Sequence, residues 1–256
     1  MPVVTVLGLG EAGGRLAADL VRLGVEVRGY DPYTAAPEGV TQAGDPTAAV
    51  APSTVVLALT TASTALGAAE SALPSLRTGG VYADLNTAAP ALKRELAALA
   101  ADAGARFADV ALLGPVPAHG IATPALALGA GAEAFADVFR PLGMPVDVLS
   151  ERAGDAATLK LLRSVFMKGL AASVLESLEA AEAAGRTSWL EGEIAGVIGE
   201  PLLGRLVEGS RRHAVRRTEE MEAARDLLLE LGVEPRIADA SAALLRELAS
   251  SRVGSG

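Results

Sequence analysis

The sequence predicts an α/β domain built on a doubly wound parallel sheet with extension strands, followed by an all-α C-terminal domain. Three observations carry this. Over the first 150 residues, short apolar runs alternate with helical patterns, which gives parallel strands covered by helices. A glycine cluster stands between the first apolar run and the first helix. After Arg152 the strand pattern stops and nearly every segment has helical period. The expected division is into domains 1–151 and 152–256.

In order, Val3–Leu7, Val25–Tyr30, Thr54–Leu59 and Val81–Leu85 read as strands, and Arg106–Leu113, Leu126–Gly129 and Val146–Leu149 extend the sheet. Helices are expected over Glu11–Leu23, Asp45–Ala51, Ala65–Leu76 and Pro90–Ala103. Leu16, Leu20 and Leu23 recur at helical spacing in the first. Asp45 before Pro46 gives the second an N-cap and a proline at its first position. The C-terminal domain reads as helices Asp155–Ala184, Ser188–Ile198, Leu202–Leu231 and Ile237–Ser250. Ser188 and Glu191 have capping-box spacing, and Gly185, Gly199 and Gly232 read as helix stops.

Half of the 256 residues are apolar, enough for a large core. A net charge of −9 without a basic stripe argues against nucleic acid as a partner. No apolar run reaches the ~20 residues of a membrane span, and the first residues run into a strand without a signal-type pattern. A cytoplasmic protein with no membrane partner is expected. There is no cysteine, and the two histidines are far apart, so no metal site is expected.

The run Gly8-Leu9-Gly10-Glu11-Ala12-Gly13 follows a strand and opens a helix. This is the context in which glycines form the pyrophosphate loop of a dinucleotide-binding Rossmann domain: one for the turn, one for backbone approach, one for helix packing. N–H groups at the helix start then face the phosphates. Asp31 lies at the end of the second strand, where an acid accepts hydrogen bonds from the adenosine ribose. Its charge repels a 2′-phosphate, so NAD is expected, with NADP as the alternative. Asp31 also precedes Pro32, and the competing reading is an Asp-Pro turn. Thr60 and Asn86 follow strands at their carboxyl ends and are candidate cofactor contacts. Thr87 is a candidate substrate contact; the competing reading is a polar turn.

Four segments together resemble the β-hydroxyacid dehydrogenase superfamily, which includes 3-hydroxyisobutyrate and 6-phosphogluconate dehydrogenases and, more distantly, imine reductases. Gly8–Leu20 is similar to the family's opening. Asp84-Leu-Asn-Thr-Ala-Ala-Pro90 is similar to its Asp-x-Ser-Thr-x-x-Pro segment, and Asp109–Pro115 to its Asp-Ala-Pro-Val-Ser-Gly-Gly segment. Gly154–Lys160 is similar to the segment that opens its long interdomain helix. The order and spacing are the family's. Leu113 stands where the family has a carboxylate-binding serine, Pro115 where it has a glycine, and Ser164 where it has an asparagine. Lys160–Gly169 and Arg216–Ala224 bring the chain nearest to a branch whose C-terminal domain has no assigned function.

The resemblance implies hydride transfer between nicotinamide and a small hydroxy acid or related carbonyl compound. Lysine suits the accompanying proton transfer when burial lowers its pKa. The chain has three lysines among 22 basic residues: Lys93, Lys160 and Lys168. Lys160, Ser164 and Lys168 span about 80° of one helix face, expected to look into the interdomain cleft. Lys160 is assigned proton transfer and Ser164 a substrate hydrogen bond. Lys168 is assigned a substrate anion or an ordinary salt bridge. Leu113, Gly114 and His119 are candidate substrate contacts, with a surface histidine as the competing reading of His119. Trp189 is expected to pack, and His213 to lie on a solvated basic face. Two other functions compete. An imine reductase fits Leu113 but not Lys160, since in those relatives the lysine position is usually replaced. A dinucleotide-binding redox sensor without turnover is the other, and the retained lysine argues against it. The first long C-terminal helix is apolar around much of its circumference, so a homodimer is expected.

Overall fold

Strands apolar on both faces must be covered on both. The chain does this in its computed structural model, which describes residues 2–149 and 152–253. The first of two units ends at Thr158. Its strands are β1 (Val3–Leu7), β2 (Glu26–Tyr30), β3 (Thr41–Gln42), β4 (Val55–Ala58), β5 (Val81–Asp84), β6 (Arg106–Leu112), β7 (Ala125–Leu128) and β8 (Val146–Val148). They form one sheet in the order β3-β2-β1-β4-β5-β6-β7-β8, parallel except where β7 runs against β6. The order reverses between β1 and β4, the switch point at which open α/β sheets bind ligands.

Alternation along each strand feeds two apolar cores. Val4 and Val6 join Leu16, Leu20, Phe135 and Phe139, under α1 (Glu11–Arg22) and α6 (Ala132–Phe139). Leu7, Val56, Tyr82 and Phe107 join Ala49, Ala69 and Leu96, under α2 (Pro46–Val50), α3 (Ala65–Ala72) and α4 (Pro90–Asp102). Asp45 caps α2 as expected, accepting the Ala48 N–H at 2.8 Å. The short α5 (Val116–His119) and α6 were not expected. For α6 the signal was present: Ala132, Phe135, Ala136 and Phe139 have the spacing of a buried helical stripe.

The second unit begins at Leu159, inside α7 (Asp155–Ala183). It continues through α8 (Thr187–Ile198), α9 (Glu200–Arg212), α10 (Ala214–Glu230) and α11 (Arg236–Val253). Leu161, Met221, Ala224, Leu227, Ala238 and Leu245 form its largest core, and Ala171, Val174 and Leu206 a second. Two expectations are corrected. The helix expected over Leu202–Leu231 is two helices, broken at His213. The Arg217 guanidinium reaches back across the break to Ser210 Oγ at 2.6 Å. It fills the space beside Gly209 that a side chain would need. Ser188 lies inside α8, whose N-cap is Arg186 without a side-chain cap. Among the described residues no helix is long and apolar enough to cross a membrane.

Candidate active site

The loop after β1 is built around glycine. Gly8 has φ +91°, and a Cβ there would sit 2.3 Å from the Leu59 carbonyl oxygen at the end of β4. A Cβ on Gly13 would sit 1.9 Å from the Gly8 carbonyl oxygen, so α1 approaches the loop only as glycine. Gly10 is the contrast: nothing lies within 4 Å of its missing side chain. It is also the N-cap of α1 and supplies no side-chain acceptor to the first turn. The loop therefore leaves the start of α1 open, with the free N–H groups that every helix start carries. Leu9 and Ala12 pack towards the core, while Glu11 is exposed. The Leu9 N–H is already donated, to Asp31 Oδ2 at 2.7 Å.

Asp31 lies one residue beyond β2. Its other carboxylate oxygen accepts the N–H groups of Tyr33 and Thr34 at 2.8 and 2.9 Å. Burial raises its pKa, but the bonds from Tyr33, Leu9 and Thr34 outweigh burial and hold it below the usual carboxylate range. The Asp-Pro turn is therefore real. The Thr34 side chain donates as well, so four donors already meet a carboxylate with about four lone-pair sites, and a ribose hydroxyl would bind in exchange for one of them.

At the carboxyl ends of β4 and β5, the Asn86 amide nitrogen donates to Thr60 Oγ1 at 3.2 Å and to Asp84 Oδ2 at 2.7 Å. Thr87 is exposed beside them. Beneath lies a group that sequence reasoning missed. Lys93 is 1% exposed, and its ammonium donates to Asp84 Oδ1 at 2.5 Å and to the Asp84 carbonyl at 2.9 Å. Asp109 pairs with Asp84 in the β5–β6 register, and its Oδ1 lies 3.1 Å from the same nitrogen. That is a charge contact, since this oxygen has no hydrogen-bond partner of good geometry. Burial lowers the Lys93 pKa, but Asp84 and Asp109 together outweigh burial and raise it. Asp109 Oδ2 accepts the N–H groups of Gly154 and Ala157 at 3.0 and 3.2 Å, capping the start of α7.

The segment after β6 is tied to α1. Arg15 donates to the Pro117 carbonyl at 2.9 Å, and buried Asp19 accepts the Ile121 N–H at 2.8 Å. The exposed His119 ring lies near Gly114. Leu113 packs with Ala111, Leu126, Leu128 and Ala156, so an apolar cluster takes up its side chain.

In the second unit, Ser164 is 1% exposed and bonds Glu220 of α10. Lys168 donates to the same Glu220 oxygen at 2.9 Å and to Ser164 Oγ at 3.2 Å. Of the two readings of Lys168, the structure has the salt bridge. Burial lowers the Lys168 pKa, with Arg217 and Arg163 adding to it and Glu220 opposing. Burial raises that of Glu220, but Lys168, the Ser164 bond and the charge of Lys160 bring it down. Lys160 is half-buried and is one of the charges that act on Glu220. Glu220 was not foreseen as a site residue, although it falls within Arg216–Ala224. The candidate residues thus form two clusters: Gly8–Gly13, Asp31, Thr60 and Asn86 in the first unit, and Lys160, Ser164, Lys168 and Glu220 in the second. Trp189, expected to pack, is 64% exposed.

Residues 3–143 match the family described as the NAD binding domain of 6-phosphogluconate dehydrogenase, more than half the chain. The chain belongs to this family. Residues 168–248 match a domain of unknown function, DUF1932. A curated relative, an uncharacterized 28.5 kDa protein of Methanothermus fervidus, is 28% identical over 159 residues. That match spans 61% of this chain and 61% of the relative's length. A solved protein of unknown function, described as similar to 3-hydroxyacid dehydrogenases, is 29% identical with a TM-score of 0.74, covering 98% of each chain. Mycobacterium tuberculosis 3-hydroxyisobutyrate dehydrogenase, solved with L-serine, has a TM-score of 0.83 at 21% identity, covering 98% of this chain and 94% of its own. At that identity the likeness concerns the fold. The matched segment is an NAD-binding domain, and it contains Gly8, Gly10, Gly13 and Asp31.

Proposed function

We propose that this protein is an NAD(P)-dependent oxidoreductase acting on a small hydroxy acid or related carbonyl compound. The observation that carries the reading is the glycine cradle with Asp31 at the switch point of the sheet. When bound, the nicotinamide dinucleotide supplies or accepts the hydride. The chain's own residues bind and orient. Gly10 admits the pyrophosphate to the start of α1, Asp31 accepts the adenosine ribose hydroxyls, and Asn86 and Thr60 orient the nicotinamide half. Lys160 exchanges the proton of the substrate hydroxyl, and Ser164 accepts a hydrogen bond while its own proton is held by Glu220. Leu113 supports a less polar pocket than a carboxylate-binding serine would give, which keeps uncharged carbonyl compounds and cyclic imines among the substrates to try. The test is a panel of hydroxy acids, ketones and cyclic imines, followed by reduced-nicotinamide absorbance. No turnover on any class with either cofactor rejects the reading.

NADH is expected to bind more tightly than NADPH. The Asp31 carboxylate repels a 2′-phosphate, and the upstream Arg28 is committed to the Ala48 carbonyl at 3.1 Å. Calorimetric titration checks this, and tighter NADPH binding overturns it.

The protein is further proposed to be a homodimer. Support comes from α8, an apolar helix with no buried residue. Trp189 and Val197 on it are 64% and 85% exposed, and Phe166 on α7 is 68% exposed. Apolar surface of this kind is what subunit interfaces bury. Light scattering at micromolar concentration is expected to give twice the chain mass; the mass of one chain rejects the dimer.

A further inference from the structure

We infer that Lys93 is a positioning residue for the nicotinamide half of the cofactor, acting through Asp84 on the Asn86 amide. The inference rests on the dinucleotide reading and adds to it a residue that touches neither cofactor nor substrate.

An asparagine amide has two nearly isosteric ends, one donating and one accepting. Which end faces the ligand depends on what holds the other. Here Asp84 Oδ2 stands 2.7 Å from the Asn86 amide nitrogen. An ionised carboxylate only accepts, so it requires the NH2 end of Asn86 to face inward. Both amide hydrogens are then used, one by Asp84 and one by Thr60 Oγ1. Among the described residues, the hydrogen bonds of the Asn86 side chain run through its amide nitrogen, and Oδ1 is the valence left over. That oxygen accepts. The complementary chemistry is a donor: a ribose hydroxyl or the carboxamide NH2 of nicotinamide.

The arrangement holds only while the Asp84 carboxylate keeps its orientation. Lys93 fixes it, with its ammonium on both Asp84 Oδ1 and the Asp84 carbonyl at 2.5 and 2.9 Å. Oδ1 also accepts the Asn86 backbone N–H at 3.3 Å, and Oδ2 is left to set the Asn86 amide.

The test is a double-mutant cycle on ligand binding, with NADH and ADP as the probes. ADP keeps the adenosine and diphosphate but lacks the nicotinamide half. K93M and N86A are each expected to weaken NADH about tenfold, the weight of one lost hydrogen bond, and to leave ADP unchanged. The double variant is expected to be no weaker than either single one, because both remove the same contact. Single effects that multiply in the double variant overturn the inference. So do unchanged NADH affinity in K93M and equal losses for NADH and ADP. If K93M does not fold, D84N carries the same test. It preserves shape, leaves Lys93 paired with Asp109 and removes the acceptor-only carboxylate, so the same loss for NADH alone is expected. Wild-type protein that binds neither NADH nor ADP overturns the dinucleotide reading as well. Binding of both with a multiplicative cycle overturns this inference alone.

Discussion

Replacing Lys160 with alanine is expected to lower turnover by a factor of about 10² to 10⁴, the usual contribution of general acid–base catalysis. Folding and NADH binding are expected to persist, because the glycine loop and Asp31 lie in the other unit. Lys160→Arg is expected to fail almost as badly. A guanidinium stays protonated and cannot accept the hydroxyl proton. The local setting supports the role. Lys160 is half-buried on the α7 face that carries Ser164 one turn further on, and Glu220 holds the Ser164 hydroxyl. The measurement is steady-state turnover on a substrate found by the panel, with NADH affinity as the control. Near-wild-type turnover in Lys160→Ala removes the lysine from the mechanism. The imine-reductase reading, which does not need it, then becomes the stronger one.

The largest stability effect is expected at Lys93. Lys93→Met leaves two carboxylates, Asp84 and Asp109, buried without their cation. Breaking a buried ion pair from one side costs about 3–5 kcal/mol, a large share of the ~5–15 kcal/mol that holds a domain folded. The pH dependence comes from the direction of the shift. The folded Lys93 pKa is above the ordinary lysine value. Its contribution is therefore fully present below that ordinary value and is lost as pH rises through the folded one. The wild-type contribution is flat across neutral pH and fades only in strong alkali. Urea unfolding of both proteins checks this. An unchanged midpoint in Lys93→Met means the ammonium contributes nothing net.

Much of this arrangement is legible in the sequence because it depends on local rules. The glycine loop needs particular residues at particular spacings, and Asp45-Pro46 is a local helix start. Both are readable without a structure. The helix break at His213 is not, since no Gly or Pro stands at the break itself. The contact that spans it joins a guanidinium to a serine seven residues back, a spacing that an unbroken helix would show as well. Glu220 escapes sequence reasoning for a similar reason. It meets Ser164 and Lys168 across 56 and 52 residues of chain, and sequence patterns do not encode such a meeting. Lys93 stands out in the sequence as one of three lysines, but nothing in its own segment gives it a role. Only the strand register, which sets Asp84 beside Asp109, shows that two buried charges await it. Asp31 has two readings in the sequence, a turn and a ribose acceptor, and its geometry shows the turn.

The cap on α7 changes how the protein can be taken apart or recombined. The first turn of that helix is fastened by Asp109, through Gly154 and Ala157, within the sheet unit. A fragment cut where the last strand ends strips Asp109 of two donors and uncovers the apolar cluster that Ala156 closes. A fragment that runs on to Thr158 keeps both. The seam for grafting a different helical domain onto this sheet therefore lies one turn inside a helix, a place that boundary-hunting in loops overlooks. A lineage exchanging its C-terminal half at that seam would inherit the capped turn intact and vary only the helical half beyond it.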